Sequence, residues 1–167
     1  MQRPARWFLL ALCLSAPPLL PAERLYLDYS TYLGGLGNDR ATALVVGSDG
    51  VIWLAGSTDS DDFPTRSPFQ GGRAGSTDVF LVRLSPDGSA LVFSTYLGGA
   101  LHDYAMTVAL DGGGGAGITG YTQSFDFPRW NAYQSSFRGG TYDAFVSHLS
   151  STGSVLLYST LLGGSAM

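Results

Sequence analysis

The densest group of residues able to do chemistry is Asp59, Asp61 and Asp62, three carboxylates packed into the segment after Thr58. Acidic oxygens at this spacing suit Ca²⁺, which takes about 6–8 oxygen ligands; no distal glutamate of the EF-hand type follows them, and the competing reading is a solvated acidic loop. The two histidines, His102 and His148, are not spaced as a metal or acid–base pair. No Gly-x-Ser-x-Gly elbow stands with a histidine partner, and Gly71-Gly72-Arg73-Ala74-Gly75 lacks the lysine that a phosphate-cradling loop needs. Trp130 and Tyr133 are the side chains best suited to a ligand surface, since flat aromatic rings can stack on sugar faces; the competing reading is that such aromatics tuck under their loop. The residue types therefore point to no catalytic group, no cofactor and no metal beyond the weak calcium candidate.

These residues sit in a chain built on a repeat. STYLGG begins at Ser30 and again at Ser94, and STLLGG begins at Ser159, at spacings of 64 and 65 residues. Gly34-Gly35 thus matches Gly98-Gly99, and Asp39 matches Asp103. Ala55-Gly56-Ser57-Thr58 matches Thr119-Gly120-Tyr121-Thr122, and Asp62-Phe63-Pro64 matches Asp126-Phe127-Pro128. Phe69-Gln70 matches Tyr133-Gln134; one extra residue enters near Arg138, after which Asp78 matches Asp143. An active site is normally unique in a chain, whereas a role in the scaffold recurs with it. The recurring aspartates read as acceptors for backbone N–H groups in turns and at strand starts. Trp130 stands where the first copy has Arg66, which sets it apart from the repeated framework.

Short apolar runs separated by turn residues predict four strands per unit. They are Thr42–Val46, Val51–Ala55, Asp78–Leu84 and Ala90–Leu97, then Met106–Leu110, Gly117–Tyr121, Asp143–Leu149 and Val155–Leu162. Ser48-Asp49-Gly50 and Ser85-Pro86-Asp87-Gly88 are hairpin turns, while the glycine run Gly112–Gly115 predicts a looser one. Several strands are apolar on both faces, as expected of a sheet covered on both sides. The loops Asp59–Thr77 and Gln123–Tyr142 are longer than compact domains commonly use.

Taken together, STYLGG, the glycine-threonine element, Asp-Phe-Pro, Asp-Ala-Phe-Val and STLLGG resemble the bacterial SBBP family of seven-bladed β-propeller repeats over Tyr29 to Gly164. The resemblance implies an all-β, β-propeller-type fold; the repeats themselves give about two four-stranded antiparallel blades plus one leading strand at Tyr26–Leu33, fewer than the family uses and so an incomplete ring. Propellers use about 4–8 blades. The expected organisation is a signal peptide over 1–22, the leading strand within 23–38, one unit over 39–97, a second over 98–162 and the start of a further unit at 163–167, as in a fragment of a longer protein. The family implies exported or cell-surface proteins and no characterised activity.

Composition agrees with a strand-rich exported chain. Glycine (23 of 167 residues) and aromatics (13%) are plentiful, and charged residues are few (13%). The net charge of −4, without a basic run, argues against a nucleic-acid partner. Arg3 and Arg6 precede the apolar run Trp7–Ala16, and Pro17-Pro18 ends it, the layout of a secretory leader cut near Ala22. The only cysteine, Cys13, lies within that leader, so the mature chain has no thiol for a disulfide or a metal, and it has no apolar stretch of membrane-spanning length. The expected function is a non-catalytic, secreted or cell-surface repeat module that serves structure or binds proteins or glycans, with self-association through open blade faces. The alternative is part of a propeller glycosidase or lyase whose catalytic residues lie in other blades. Expression in a secreting bacterium tests the leader: mass spectrometry of the exported protein should find a chain beginning at Glu23, and an exported chain retaining Met1–Ala22 would contradict it.

Overall fold

The computed structural model describes residues 30–165, and the leader expected over 1–22 lies outside them. The described chain is all-β. Strands β1 (Asp39–Val46), β2 (Ile52–Thr58), β3 (Asp78–Leu84) and β4 (Leu91–Leu97) form one sheet. Strands β5 (Asp103–Leu110), β6 (Ala116–Thr122), β7 (Asp143–Leu149) and β8 (Leu156–Leu162) form a second. Each sheet is an antiparallel meander whose spatial order is its chain order. Among the described residues no helix is long and apolar enough to cross a membrane.

The hairpin turns follow from side-chain chemistry. Gly47 N donates to Val51 O, and Gly50 supplies the left-handed conformation (φ 78°) that lets the chain reverse. Gly112–Gly115, expected to be looser, forms the same five-residue turn. Asp111 N donates to Gly115 O, Gly114 takes φ 82°, and the Asp111 carboxylate accepts Gly113 N at 2.7 Å and Gly115 N at 2.8 Å. One aspartate side chain thus gives a bare glycine run a defined shape.

Two further expectations are corrected. Strand β2 runs past its expected end at Ala55 as far as Thr58, and β6 runs past Tyr121 to Thr122. Both strand ends stay paired because their partners bulge: the register shifts between Ala41 and Ala43 and again between Ala105 and Thr107. The backbone of the bulged strand and an aromatic ring then close over Gly56 and over Gly120. A Cβ on Gly56 would come under 3.0 Å from Arg40 O and the Phe80 ring, and one on Gly120 would do the same against Tyr104 O and Phe145. The leading strand is also absent over Ser30–Leu33, which is not in a strand; Tyr26–Tyr29 lies outside the described residues. Its counterpart Ser94–Leu97 pairs with β3, and no strand stands beside Ser30 to pair with it among the described residues.

The sheets pack face to face. Trp53, Val79, Leu81, Phe93 and Leu97 of the first sheet join Val108, Ile118, Phe145, Leu149 and Leu161 of the second in one buried cluster. The other face of the first sheet carries Phe80, Val82, Leu84 and Tyr96, with Phe63 stacked on Phe80 at 4.6 Å between ring centres. In the second sheet the residues matching Phe80, Leu84 and Tyr96 are Phe145, Leu149 and Leu161, and these lie in the shared cluster. The front of the second unit therefore rests on the back of the first, so β3 is apolar and covered on both faces while β7 alternates buried with more exposed positions. Gly56→Ala or Gly120→Ala should cost about 2–3 kcal/mol through overpacking, read as a lower urea midpoint; an unchanged midpoint would contradict the close approach at the bulges.

Candidate functional site

The candidate residues lie along the loop ends of the two sheets, and the segment joining the sheets positions them. After β4 the chain runs Gly98-Gly99-Ala100-Leu101 into β5, and its backbone N–H groups have no ladder to join. Side chains accept them instead. Gly98 N donates to Gln70 Oε1 (3.0 Å), Gly99 N to Asp103 Oδ2 (2.7 Å), Ala100 N to Asp126 Oδ1 (2.9 Å) and Leu101 N to Ser124 Oγ (2.9 Å). Asp103 also accepts the Thr122 and Ser124 hydroxyls. The same set recurs one unit earlier: Gly35 N donates to Asp39 (2.7 Å), Leu36 N to Asp62 (2.8 Å) and Gly37 N to Ser60 (2.8 Å). A Cβ on Gly98 would meet the Asp78 carboxyl at 2.5 Å and Asp103 Oδ2 at 2.8 Å, so carboxylates crowd the backbone too closely for a side chain. Gly34, Gly35, Gly98 and Gly99 therefore serve the clasp, and so do Asp62 and Asp126.

Asp78 and Asp143 shape the long loops. Asp78 accepts Ala74 N (2.9 Å), Gly75 N (3.2 Å) and Gln70 Nε2 (2.8 Å). Asp143 accepts Arg138 N (2.9 Å) and Gln134 Nε2 (3.1 Å), while its Oδ1 is buried with no partner among the described residues. The extra residue in the second loop accounts for the missing donor. In Asp-Phe-Pro the phenylalanines turn inward: Phe63 and Phe127 are buried against Phe80 and Phe145. The carbonyls of Pro64 and Pro128 each accept a serine hydroxyl at 2.6 Å, from Ser94 and Ser159.

The calcium candidate is not assembled. Asp59 accepts Asn38 N (2.5 Å) and Nδ2 (2.8 Å), Asp61 pairs with Arg73 (2.6 Å), and Asp62 accepts Leu36 N. Each carboxylate is drawn to a different partner, and no three acidic, histidine or cysteine side chains gather around a metal-sized space among the described residues. The Asn38 side chain and backbone hold the Asp59 carboxyl below the usual range. The histidines are also apart: His102 Nδ1 lies 3.1 Å from Thr77 Oγ1, and His148 Nε2 lies 2.7 Å from Asp111.

Trp130 is held by its backbone and free at its ring. It exchanges hydrogen bonds of 3.1 and 2.8 Å with Ser159, as Arg66 does with Ser94, yet the residue is 59% exposed. Phe69 of the first unit and Val155 of the second join it around an apolar groove of about 310 Å³ at the outer edge of the sheets. Tyr133 is not part of this groove and is 91% exposed, so the two candidate aromatics do not form one platform.

Sequence reasoning missed a second aromatic group. His102, Tyr104, Tyr121 and Tyr142 form a ladder with ring centres 6.0, 5.2 and 5.0 Å apart in succession. Their matches in the first unit are Asn38, Arg40, Ser57 and Thr77. Four replacements of polar residues by rings at matched positions were visible in the aligned copies, but strand pairing was needed to show that they are neighbours. No family model matches the chain, and no curated protein is found to be similar to it.

Burial raises the carboxyls of Asp78 and Asp103 above the ordinary aspartate value of 3.8, against the pull of their hydrogen-bond donors, and the Asp78 charge raises Asp103 further. A raised folded-state pKa means that the folded chain binds these protons more tightly than the unfolded one. Their contribution to stability is then fullest below 3.8 and declines as pH climbs through the raised values. Asp103→Asn should flatten that part of the pH dependence of the melting temperature. Asp103→Ala should cost about 3 kcal/mol, because several buried donors lose their acceptor, whereas Asp59→Ala should leave the midpoint nearly unchanged. Equal effects of the two alanine variants would contradict the clasp.

Proposed function

We propose that the chain is an exported, non-catalytic β-propeller-type repeat module of the SBBP kind that binds proteins or glycans at the cell surface, and that the Trp130 groove is its contact surface. The observation that carries the reading is the way one unit sits on the next. The front of the second sheet covers the back of the first, and a recurring side-chain clasp ties the joining segment. One sheet resting on the next, with a clasp that recurs a unit earlier, supports this reading, since propellers pack blade on blade. The open faces agree with it. Leu44 and Val46 are exposed on the first sheet at the positions of Val108 and Leu110, which pack into the shared cluster in the second. Tyr158 and Leu162 are exposed at the positions of Phe93 and Leu97, which the second sheet covers. Such faces also suit head-to-tail association with further units or copies.

A binding role is favoured over catalysis because the polar side chains near the loops are committed to the scaffold. An exposed tryptophan in an apolar groove is the residue type that dominates recognition surfaces. The protein should be screened against immobilised surface polysaccharides and extracellular proteins, with Trp130→Arg, which installs the first unit's residue, as control. Binding that Trp130→Arg abolishes without moving the melting temperature is the expected result. Release of reducing ends from any polysaccharide, or a screen in which no bound partner is lost on Trp130→Arg, would contradict the proposal.

A further inference from the structure

A cleft of about 680 Å³ opens between the two sheets at the inner strands β1 and β5, away from the Trp130 groove. That volume is in the range of small-ligand sites. Its origin is a difference between the units. Asn38, Arg40, Ser57 and Thr77 line it from the first unit, and they occupy the four positions that the second unit fills with the His102–Tyr104–Tyr121–Tyr142 ladder. Small and polar residues in the first unit leave room, and rings of the second supply a wall, since Tyr104 and Tyr121 line the same cleft. The bulge in β5 adds Met106, which is 57% exposed there.

Most polar groups of the cleft are already engaged. Thr42 Oγ1 donates to Ala105 O (2.9 Å), Ser57 Oγ accepts Ala105 N (3.1 Å), Thr77 faces His102 and Asp59 is tied to Asn38. Arg40 is the charged exception. It is exposed, and among the described residues its guanidinium makes neither a hydrogen bond nor an ion pair, whereas Arg73 and Arg83 have carboxylate partners. A planar guanidinium fork pairs best with a carboxylate. Tyrosine rings beside it offer flat faces for the C–H surface of a sugar ring and hydroxyls at their rims. A polyanion such as nucleic acid needs several cations along a groove, and this cleft has one, with an aspartate at its rim.

From this juxtaposition of Arg40 with Tyr104 and Tyr121 we infer that the inter-sheet cleft binds an acidic saccharide, the sugar carboxylate on the Arg40 guanidinium and the ring against the tyrosines. The site stands on residues other than those of the Trp130 groove. It places ligand recognition at positions where the two units differ, and it makes the first unit's polar residues and the second unit's rings equally necessary.

The test is calorimetric titration of the full chain with a trisaccharide of galacturonic acid and with its neutral counterpart, galactotriose. The acidic sugar should bind saturably and about tenfold or more tightly than the neutral one, as expected when a charge-assisted pair is lost. Arg40→Gln should bring the two affinities together, and Arg40→Lys, which keeps the charge and loses the fork, should fall between. Tyr121→Ser should weaken both sugars, and Trp130→Arg should change neither. Absence of saturable binding of the acidic sugar, equal affinities in the unmodified chain, or indifference to Arg40→Gln in a variant with an unchanged melting temperature would each overturn the inference. Loss of binding in Trp130→Arg but not in Arg40→Gln would also overturn it, while leaving the outer groove as the contact surface.

Discussion

The structure depends on how the four residues between the sheets satisfy their backbone N–H groups. Gly98, Gly99, Ala100 and Leu101 lie outside any ladder; Gly98 and Gly99 are buried, where an amide without an acceptor costs about as much as a lost hydrogen bond. The acceptors are Gln70 and Asp103, with Asp126 and Ser124, supplied from both units. The joining segment is therefore clamped by side chains of the unit it leaves and of the unit it enters. Burying Asp103 carries a desolvation cost that its three donors offset only in part, and the crowding of carboxyls around the backbone is what demands two glycines in succession.

The clasp explains why the units are alike where they are alike. The pairs Asp39 and Asp103, Asp62 and Asp126, and Gln70 and Gln134 recur because each unit must receive a segment and hand one on. Other contacts join the units away from the clasp: Arg83 donates to Ser151 O at 3.0 Å, and the Phe93 ring lies where a side chain on Gly153 would have to go. Copies with identical scaffolding are free to differ at their faces and loop ends. Trp130 against Arg66, and the tyrosines against Arg40 and Ser57, are differences of that kind, and they concentrate the chemistry that distinguishes one unit from the other.

Much of the fold was legible in the sequence. Asp78–Leu84 and Asp143–Leu149 read as strands because they are short, largely apolar runs bounded by turn residues, and the glycines of the turns marked the reversals. Where reading failed, the cause was a contact distant in sequence. Gly56 looks like a residue beyond the end of its strand until the bulge opposite it and the ring above it are seen. The glycine run at 112–115 looks unstructured until Asp111 is seen to accept two of its amides. Asp59, Asp61 and Asp62 look like one site because they are neighbours in the chain, yet Asn38, Arg73 and Leu36 draw them apart. The Trp130 groove was half legible: the tryptophan stood out against Arg66, but Phe69, which faces it from the other unit, and the exclusion of Tyr133 follow only from the loop geometry.

Native-state amide hydrogen exchange tests the clasp most directly, at Gly99 and Leu101 in the joining segment. These amides are in no strand ladder, so protection there reports the Asp103 and Ser124 acceptors. The account predicts that both exchange as slowly as the amides of strand β6, through the same cooperative opening of the two sheets. Exchange as fast as at Gly112 in its exposed turn would mean that the side-chain clasp does not hold the units together.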